Sequence, residues 1–402
     1  MRLKDFSVLN PQYKGESLDC EVSFVPMESL RNGAIDYQDI PFAEGKGKYT
    51  YFQDGDLLVA KVTPCFENGN IAIANNMKQG VGFGSSEIFV LRMNDKVLNT
   101  YMFYITQTAK FQEGACATMC GVGGLKRISP LFMRTYELDI PSLSKQQRIV
   151  DYLDAKLGKI DARIAILEKQ QDAYARLKRS VIHHAVTRGL DPNVFLKDSG
   201  VEWIGMIPKH WELQRFKSIF TECKSVTETG QENLLSVSEY YGVARRIDKM
   251  EDGEYESRAD SLVGYKVCKK DDLVINIMLA WKRGLGFSDF DGIVSPAYAV
   301  YRGKDIAPHY FHYLMRTDMY VAEYKRNSKG IIDSRLRMYT DRFNNIIAIV
   351  PPLSEQQAIA AYLDEKCSKI DAATENIGKQ IDALKRLKRA LINEVVTGQR
   401  AV

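Results

Sequence analysis

The amino-acid sequence repeats itself at an offset of 210 residues, and this duplication limits what the chain can fold into. Residues 143–162, LSKQQRIVDYLDAKLGKIDA, match residues 353–372, LSEQQAIAAYLDEKCSKIDA, and the match continues without a gap beyond these blocks. The preceding sequences differ far more, although Ser85–Arg92 still resembles Ser295–Arg302 at the same offset. A repeat with a constant half and a diverged half indicates one task common to both copies and one task particular to each.

The constant halves predict two long helices. Between Gln146 and Val186 there is no proline and one glycine, and the apolar residues recur at intervals of three, four and seven, as in a heptad seam. Ser144 and Ser354 are the predicted N-caps, each followed three residues later by a glutamine in a capping-box arrangement. At 1.5 Å per residue, each predicted helix is roughly 60 Å long.

A helix of this length with a single apolar stripe is expected to pack against a partner, and the two seams can pack against each other. Leu177 is one of the seam residues of the first copy. The positions selected for this contact are Leu153, Ile160, Leu167, Leu363, Ile370 and Ile377. The glutamines that begin the helices, Gln146, Gln147, Gln356 and Gln357, are further candidates for helix packing and for docking a partner.

The diverged segments are rich in predicted strands with helices between them, so each is interpreted as an α+β domain. The chain then divides into a first domain at residues 1–140, a helical segment at 141–196, a second domain at 197–350 and a second helical segment at 351–402. The predicted fold class is α+β, with two strand-rich domains and two long coiled-coil helices.

Polar and basic residues cluster in loops at corresponding places in the two domains. Glycine lets a backbone approach a phosphate closely, and Arg, Lys and Asn side chains can form paired hydrogen bonds with base edges. The candidate nucleic-acid contacts are Lys61, Thr63, Asn68, Asn70, Ser85, Lys126 and Arg127 in the first domain, and Lys282, Arg283, Ser295, Arg335 and Arg337 in the second.

Composition excludes several classes of protein. The chain has 55 basic and 51 acidic residues, and its net charge of +4 permits nucleic-acid binding without requiring it. There is no apolar run of membrane-spanning length and no apolar signal core, so a cytoplasmic protein without membrane association is expected. The seven cysteines are dispersed, and Cys116 and Cys120 lack a second pair at metal spacing, so no disulfide framework or metal site is predicted.

The sequence predicts no catalytic centre, and the chain is therefore expected not to be an enzyme. Residues 10–13, NPQY, approach the acidic-or-Asn-Pro-Pro-aromatic motif of amino-methyltransferases. Glutamine replaces the second proline, however, and no glycine-rich loop for S-adenosylmethionine follows, so this stretch is interpreted as a turn. Neither a P-loop nor a dinucleotide-binding glycine motif occurs.

Several motifs together resemble the specificity subunits of type I restriction–modification systems. Residues 351–357, PPLSEQQ, match the P-P-L-x-E-Q signature of that family, and residues 141–147, PSLSKQQ, are a variant copy with Ser142 and Lys145 at two signature positions. Residues 197–214, which contain EWIG and PKHW, match the lead-in to a target-recognition domain of the family. No similar stretch precedes the first domain.

The resemblance implies a fold and a set of partners. Two target-recognition domains would be separated by two long antiparallel coiled-coil helices in a pseudo-twofold repeat. Each domain would read one half of a bipartite site in double-stranded DNA, and the helices would set the spacer and dock two modification (methyltransferase) subunits. Restriction/translocase subunits would complete a phage-defence complex. S-adenosylmethionine, ATP and magnesium would belong to those partners, and this chain would hold no cofactor.

Two other functions remain open from the residues alone. A single-chain DNA methyltransferase would combine recognition and catalysis, but it needs the binding motifs that are missing here. A coiled-coil adaptor would use the same helices with domains that bind proteins instead of DNA. Binding of S-adenosylmethionine would identify the first, and the absence of salt-dependent DNA binding would identify the second.

Overall fold

A computed structural model describes residues 1–122, 124–249 and 261–402, which form two compact units. Unit 1 consists of Met1–Glu168 and Gly378–Val402, and unit 2 consists of Lys169–Ile377. Each unit therefore combines one diverged segment with a part of each repeated segment, and the boundaries between the units fall inside the repeated segments.

The described residues of unit 1 form two four-stranded sheets, a short two-stranded ribbon and four short helices. The strands are β1 (Ser7–Leu9), β2 (Glu21–Val25), β3 (Leu30–Arg31), β4 (Ala34–Ile35), β5 (Gln38–Pro41), β6 (Thr50–Gln53), β7 (Leu57–Ala60), β8 (Ile71–Ile73), β9 (Val81–Gly84) and β10 (Ile88–Met93). The short helices are α1 (Phe42–Gly45), α2 (Asn99–Thr106), α3 (Ala109–Ala117) and α4 (Pro130–Thr135). One sheet has the order β1-β10-β7-β8 and is antiparallel throughout, and the other has the order β5-β2-β9-β6 with β2 and β9 parallel.

Unit 2 repeats the first of these sheets. Its strands are β11 (Leu196–Asp198), β12 (Met206–Pro208), β13 (Glu212–Arg215), β14 (Phe220–Glu222), β15 (Leu235–Ser238), β16 (Gly242–Arg245), β17 (Lys266–Cys268), β18 (Asp272–Asn276), β19 (Leu285–Phe287), β20 (Gly292–Val294), β21 (Tyr298–Gly303) and β22 (Ile347–Val350). The antiparallel order β14-β21-β18-β19 corresponds to β1-β10-β7-β8 of unit 1, and among the described residues the other strands of unit 2 form two-stranded ribbons.

Both faces of the repeated sheet are buried, because successive side chains of a strand point to opposite faces and each face packs in a core. In unit 1, Leu57 and Phe89 pack on the face that also meets the long helices, whereas Leu58 and Val90 pack on the opposite face. In unit 2, Leu273 and Tyr301 face one core, and Val274 and Val300 face the other. Because both faces are buried, the sequences of these strands are continuous apolar runs.

A buried ion pair recurs at the same place in both units. The Asp56 carboxylate accepts hydrogen bonds from Nε and Nη2 of Arg92 at 2.8 and 2.7 Å, and the Asp272 carboxylate accepts the same two bonds from Arg302 at 2.9 and 3.0 Å. Both aspartates are buried. These bonds raise the pKa of the Arg92 and Arg302 guanidinium groups. Each pair joins neighbouring strands of the repeated sheet, so the duplication extends to individual interactions.

The two predicted long helices are present as α5 (Leu143–Arg188) and α10 (Leu353–Val396). Between them in the chain lie the short helices α6 (Phe216–Ile219), α7 (Pro308–Met315), α8 (Asp318–Asn327) and α9 (Thr340–Phe343). At 1.5 Å per residue, α5 and α10 are about 69 Å and 66 Å long. The predicted N-caps, Ser144 and Ser354, are wrong because both residues lie inside the first helical turn. The backbone N–H of Gln146 already donates to the carbonyl of Ser142, and that of Gln356 donates to Pro352.

Within each unit, the start of one long helix packs against the end of the other. In unit 1, Leu153 contacts the same core as Leu391 and Val395, and Lys388 Nζ lies 2.7 and 2.8 Å from the two carboxylate oxygens of Asp161. Because residue 161 faces residue 388 while residues near 153 face 391–395, the helices run antiparallel.

Unit 2 has the equivalent arrangement. Lys178 Nζ lies 2.7 Å from both carboxylate oxygens of Asp371, Gln171 donates to the carbonyl of Thr374, and Ala185 shares a core with Leu363. The predicted α+β class and the paired antiparallel helices are thus confirmed.

The predicted apolar seam is correct except near Leu177. Leu153, Leu167, Leu363, Ile370 and Ile377 are buried, and Ile160 packs at the edge of the unit 1 core. Leu177 and its repeat partner Leu387 are instead half exposed. An α-helix drifts by about 20° per heptad relative to a strict seven-residue repeat. After three heptads this drift turns the leucines outward and brings Lys178 and Lys388 toward the partner helix.

The lead-in segment 197–214 packs against the long helices in unit 2. Trp211 is fully buried, and its indole Nε1 donates to Glu355 at 2.9 Å. The neighbouring His210 contacts the other oxygen of Glu355 at 2.6 Å. Since Lys145 takes the place of Glu355 in the first copy of the motif, unit 1 lacks the acceptor for such a tryptophan.

Candidate nucleic-acid interface

Two loops that carry predicted contacts are joined to each other in unit 1. Loop 61–70 connects β7 to β8, and loop 120–127 connects α3 to α4. The Thr63 hydroxyl donates to the carbonyl of Gly124 at 2.9 Å and accepts from the backbone N–H of Lys126 at 2.9 Å. The N–H of Thr63 also donates to the carbonyl of Lys126 at 2.9 Å. Thr63 therefore holds the two loops together, and its hydroxyl is occupied.

The basic residues of these loops differ in whether their charged groups already contact other groups of the protein. Arg127 forms two hydrogen bonds of 2.9 Å with the Glu87 carboxylate, which lower the pKa of Glu87. Lys61 lies over the Phe89 ring at 5.0 Å and is half-buried, and burial lowers the pKa of its ammonium group. Lys126 is exposed and has no carboxylate partner among the described residues. Among the predicted cations of unit 1, Lys61, Lys126 and Arg127, it is therefore the one that is exposed and without an ion-pair partner.

The other predicted contacts of unit 1 divide between exposed and internal positions. Asn68 is exposed. Asn70 is buried beside the end of β7, where its carbonyl accepts from the N–H of Ala60, so it supports the loop instead of facing solvent. The Ser85 hydroxyl accepts from the N–H of Glu87 at 3.2 Å and forms the turn before β10.

Unit 2 builds the corresponding pair of loops with different residues. Loop 277–284 connects β18 to β19, loop 329–337 follows α8, and the N–H of Met338 donates to the carbonyl of Ile277 at 2.8 Å. The Trp281 ring has Lys282 Nζ at 5.0 Å and Lys325 Nζ at 5.1 Å. Lys282 is exposed, so this aromatic ring presents two ammonium groups at the surface.

Arg283, a predicted contact residue, is partly exposed and bonds to neighbouring groups of unit 2. It adopts a left-handed backbone conformation with φ of 63°, its Nε donates to the carbonyl of Arg316 at 3.0 Å, and its Nη2 pairs with Asp318. Arg316 in turn donates to four carbonyls, those of Arg283, Leu285, Glu239 and Tyr240. Burial lowers the pKa of Arg316 to about 10. These two arginines shape the loops and position neighbouring residues.

The remaining predicted contacts of unit 2 lie on its surface loops. Arg335 is exposed and has no carboxylate partner among the described residues, whereas Arg337 is partly buried and donates to the carbonyl of Leu336 at 2.9 Å. The Ser295 hydroxyl accepts from the N–H of Ala297 at 3.3 Å and forms a turn, as Ser85 does in unit 1. The structure thus leaves Lys282 and Arg335 as the open cations of this unit's predicted set.

Sequence reasoning missed several residues of these loops. Trp281 and Lys325 form the aromatic and basic surface with Lys282, and Val122 and Ile331 project from the loop tips. The surface formed by Trp281, Lys282 and Lys325 depends on a long-range contact, so no local sequence pattern indicates it. Val122 and Ile331 could have been found, because a glycine precedes each aliphatic residue in both copies of the loop.

The paired glutamines of the repeated motif have different surroundings. Gln146 is buried: its Oε1 accepts from the N–H of Leu98 at 2.9 Å, and its Nε2 donates to the carbonyls of Lys96 and Pro141 at 2.9 Å. Gln356 repeats this arrangement with the N–H of Ala307 and the carbonyl of Pro351.

Gln147 and Gln357 are exposed on the next helical position. The first glutamine of each pair therefore fastens the neighbouring strand-rich segment to the helix, and the second one faces solvent.

No group of three or more His, Cys, Asp or Glu side chains is placed to hold a metal ion in residues 1–122, 124–249 and 261–402. Within those same residues, no helix combines the length and the apolar character needed to cross a bilayer.

Comparison with known proteins identifies a recognition domain. Residues 14–173 match the family described as the type I restriction modification DNA specificity domain. Two specificity subunits from Escherichia coli, of the EcoEI and EcoAI type I restriction enzymes, are 34% and 31% identical over 152 and 146 residues. These alignments cover 37% and 35% of this chain but only 26% and 25% of the two relatives.

Longer matches cover nearly the whole chain at lower identity. The MjaVIII specificity subunit of Methanocaldococcus jannaschii is 21% identical over 404 residues, which cover 96% of this chain and 87% of the relative. A chain from a study of complex assembly and conformational transition of the type I R-M system superposes with a TM-score of 0.71 at 14% identity, covering 98% of this chain and 96% of that one.

The HsdS subunit from Thermoanaerobacter tengcongensis superposes with a TM-score of 0.52 at 16% identity and covers 100% of this chain and 96% of its own. At these identities the superpositions show a common fold. Residues 14–173 thus match the type I DNA specificity domain, and the chain is similar to type I restriction–modification specificity subunits.

Proposed function

We propose that this chain is the DNA-reading, non-catalytic subunit of a type I restriction–modification complex. Unit 1 would bind one half of a bipartite duplex site and unit 2 the other half. The observation that carries this proposal is that the two units place loops at equivalent positions of the same sheet and helix framework, yet fill them with different side chains. An invariant framework with variable loops suits a protein that reads two different sequences.

Duplex DNA is the partner that the loop chemistry favours. Lys126 in unit 1, and Lys282 and Arg335 in unit 2, supply ammonium and guanidinium groups at exposed positions, and Lys325, which pairs with Asp333, lies beside Lys282 on the Trp281 ring. Contacts to phosphate fix the position of a protein on DNA, and forked contacts to base edges specify sequence. A DNA target would also put this chain in the cytoplasm.

The repeated helices would serve the tasks that both halves share. Their exposed faces, including Gln147 and Gln357, would dock two modification subunits, and restriction/translocase subunits would join that complex. The methyl donor S-adenosylmethionine, ATP and magnesium would be bound by those partners. The paired helices would also fix the number of unread base pairs between the half-sites.

Methylome sequencing of cells that carry this chain with its modification subunit tests the function. The expected result is a bipartite, asymmetric motif with methylated adenine and a constant spacer. A continuous palindromic motif, or no motif although the modification subunit is active, would contradict the proposal. Turnover of S-adenosylmethionine by the purified chain alone would instead indicate a methyltransferase.

The spacing role has its own test. Deleting residues 164–170 and 374–380 removes one heptad from each helix at the same level of the antiparallel pair, so the seam stays in phase. Each helix becomes about 10 Å shorter. The spacer should therefore shrink by about three base pairs at 3.4 Å each, with both half-site sequences unchanged. Altered half-site sequences with an unchanged spacer would show that the helices do not set the distance.

A further inference from the structure

The loops at 120–127 and 329–337 share a construction that their sequences do not reveal. Two backbone hydrogen bonds close the first loop, between Cys120 and Arg127 at 3.1 and 2.9 Å. Two bonds of 2.9 Å close the second loop, between Lys329 and Arg337. Each loop is therefore a small closed projection with a fixed base. It occurs in the diverged half of both units, where few other details of sequence are retained.

A glycine directly after the first closing residue shapes each projection. Gly121 and Gly330 both have φ of +156°, a conformation that other residues rarely adopt. A Cβ atom at Gly121 would lie 2.1 Å from the carbonyl oxygen of Leu125, and one at Gly330 would lie 2.6 Å from that of Arg335. The two sides of each loop thus approach so closely that only glycine fits.

The residue after each glycine is an exposed β-branched aliphatic one. Val122 is 91% exposed, and Ile331 is fully exposed with the half-exposed Ile332 beside it. Single exposed apolar residues are common on protein surfaces and alone mean little. Here the same position of the same closed loop is aliphatic and exposed in both units, which points to a contact that both units make.

Positive charge surrounds both aliphatic tips. Loop 120–127 carries Lys126 and the Glu87-paired Arg127 behind its tip, and loop 329–337 carries Lys329, Arg335 and Arg337 against one carboxylate, that of Asp333, which pairs with Lys325. A polyanion is the partner that such charges attract, and apolar side chains read the C5-methyl group of thymine in the major groove of DNA. The C5-methyl group of thymine is the methyl group that the base edges of DNA present in the major groove.

We propose that Val122 and Ile331 are specificity-determining residues, each packing against the C5-methyl group of a thymine in its own half-site. The proposal rests on the DNA-reading function proposed above and names the chemical feature that these two loops recognise. The cations behind each tip bind phosphates and so hold the tip against the DNA. The closed base of each loop limits its motion, so less conformational entropy is lost when the contact forms.

The first test uses methylome sequencing to measure how replacing each tip residue changes the methylated motif. The full chain with its modification subunit is expressed as wild type, Val122→Ser, Ile331→Ser and, as a matched exposed aliphatic control in unit 2, Val226→Ser. Ile331→Ser should relax the requirement for thymine at one position of one half-site, and Val122→Ser should do so in the other half-site only. Val226→Ser should leave the motif unchanged.

The second test removes the methyl group from the DNA. With the assembled methyltransferase, duplexes that carry deoxyuridine in place of the thymine at the affected position should bind about four-fold more weakly to wild type, the equivalent of ~0.8 kcal/mol for one buried methyl-sized group. Ile331→Ser should bind thymine and uracil duplexes equally well. Ile331→Val, which keeps an aliphatic tip, should retain discrimination.

The outcomes separate this inference from the proposed function. If wild type yields no bipartite motif, the DNA-reading function itself fails. If the motif is present but neither serine variant relaxes it and uracil binds as well as thymine, the tips do not read methyl groups. If 2-aminopurine fluorescence shows unstacked bases and uracil has no effect, the tips insert between base pairs instead. If the variants lose assembly with the modification subunit but still bind DNA, the tips contact a protein. Each of those results overturns the proposal.

Discussion

The buried glutamine at the start of each long helix offers a quantitative test of how the recognition domains are fastened. Gln146→Ala removes a side chain that accepts one hydrogen bond from Leu98 and donates to two carbonyls, all at 2.9 Å. The partly buried N–H of Leu98 would then have lost its acceptor, and two carbonyls would have lost a donor. The neighbouring Gln147 is exposed and bonds only to Asp151, one helical turn away, so it provides a matched control.

The expected cost follows from these bonds. An intramolecular hydrogen bond contributes about 1 kcal/mol net, and a buried donor left without an acceptor costs about 1–3 kcal/mol. Gln146→Ala should therefore destabilise unit 1 by about 3–4 kcal/mol. For a unit of this size the midpoint of thermal unfolding should fall by roughly 6–16 °C, at 2–4 °C per kcal/mol. Gln147→Ala loses one exposed contact between residues i and i+4 and should change the stability by less than 0.5 kcal/mol.

Thermal and urea unfolding followed by circular dichroism would measure both variants beside wild type. Because the repeat has a second copy, Gln356→Ala and Gln357→Ala give an independent replicate in unit 2, with the same expected contrast. Equal losses for the two members of a pair, or a loss below 0.5 kcal/mol for Gln146→Ala, would refute the view that the first glutamine fastens the domain.

Three further predictions concern unit 2. Asp272→Asn removes the charge of a buried carboxylate that holds Arg302, and urea titration should show a loss of about 2 kcal/mol; a change under 0.5 kcal/mol would show that the pair is dispensable. Burial and the nearby Arg316 lower the pKa of His312 to about 3, below its unfolded value of about 6.5, so its contribution is complete above pH 6.5 and is lost as the pH falls toward 3. Wild type should therefore lose on the order of 1–2 kcal/mol more than His312→Gln between pH 6.5 and 5, and parallel profiles would contradict the assignment. Replacing Lys282 and Arg335 together with alanine should weaken DNA binding by the assembled methyltransferase and reduce the salt dependence by about two charges, with stability unchanged; an unaltered salt slope would remove both residues from the interface.

Much of the framework could be predicted from the sequence because it follows local rules. The repeat, the absence of proline between Gln146 and Val186, and the heptad spacing sufficed to predict two long paired helices. Apolar runs such as those of β7 and β18 sufficed to predict buried strands. The error at Leu177 arose because a strict seven-residue count ignores the slow rotation of the seam around a real helix.

The candidate site was less predictable because distant residues decide which charges are free. Nothing near Arg127 in the sequence indicates that Glu87, forty positions away, binds its guanidinium group. Arg283 is likewise held by Asp318 and by the backbone of Arg316. Residue type and loop position were enough to select candidate contact residues, but only the tertiary structure separates the cations that bond within the loops from those that remain exposed.

The glutamine joints have a consequence for how such proteins change over evolutionary time. The bonds of Gln146 and Gln356 to their domains involve main-chain atoms, the N–H of Leu98 and of Ala307. Because these side chains form their hydrogen bonds with main-chain atoms, the bonds do not depend on which side chains the domain carries. Recombination could therefore replace one whole recognition domain with an unrelated sequence of the same backbone, without any compensating change in the helices. New specificities would then arise by exchange of modules, with the joint inherited intact.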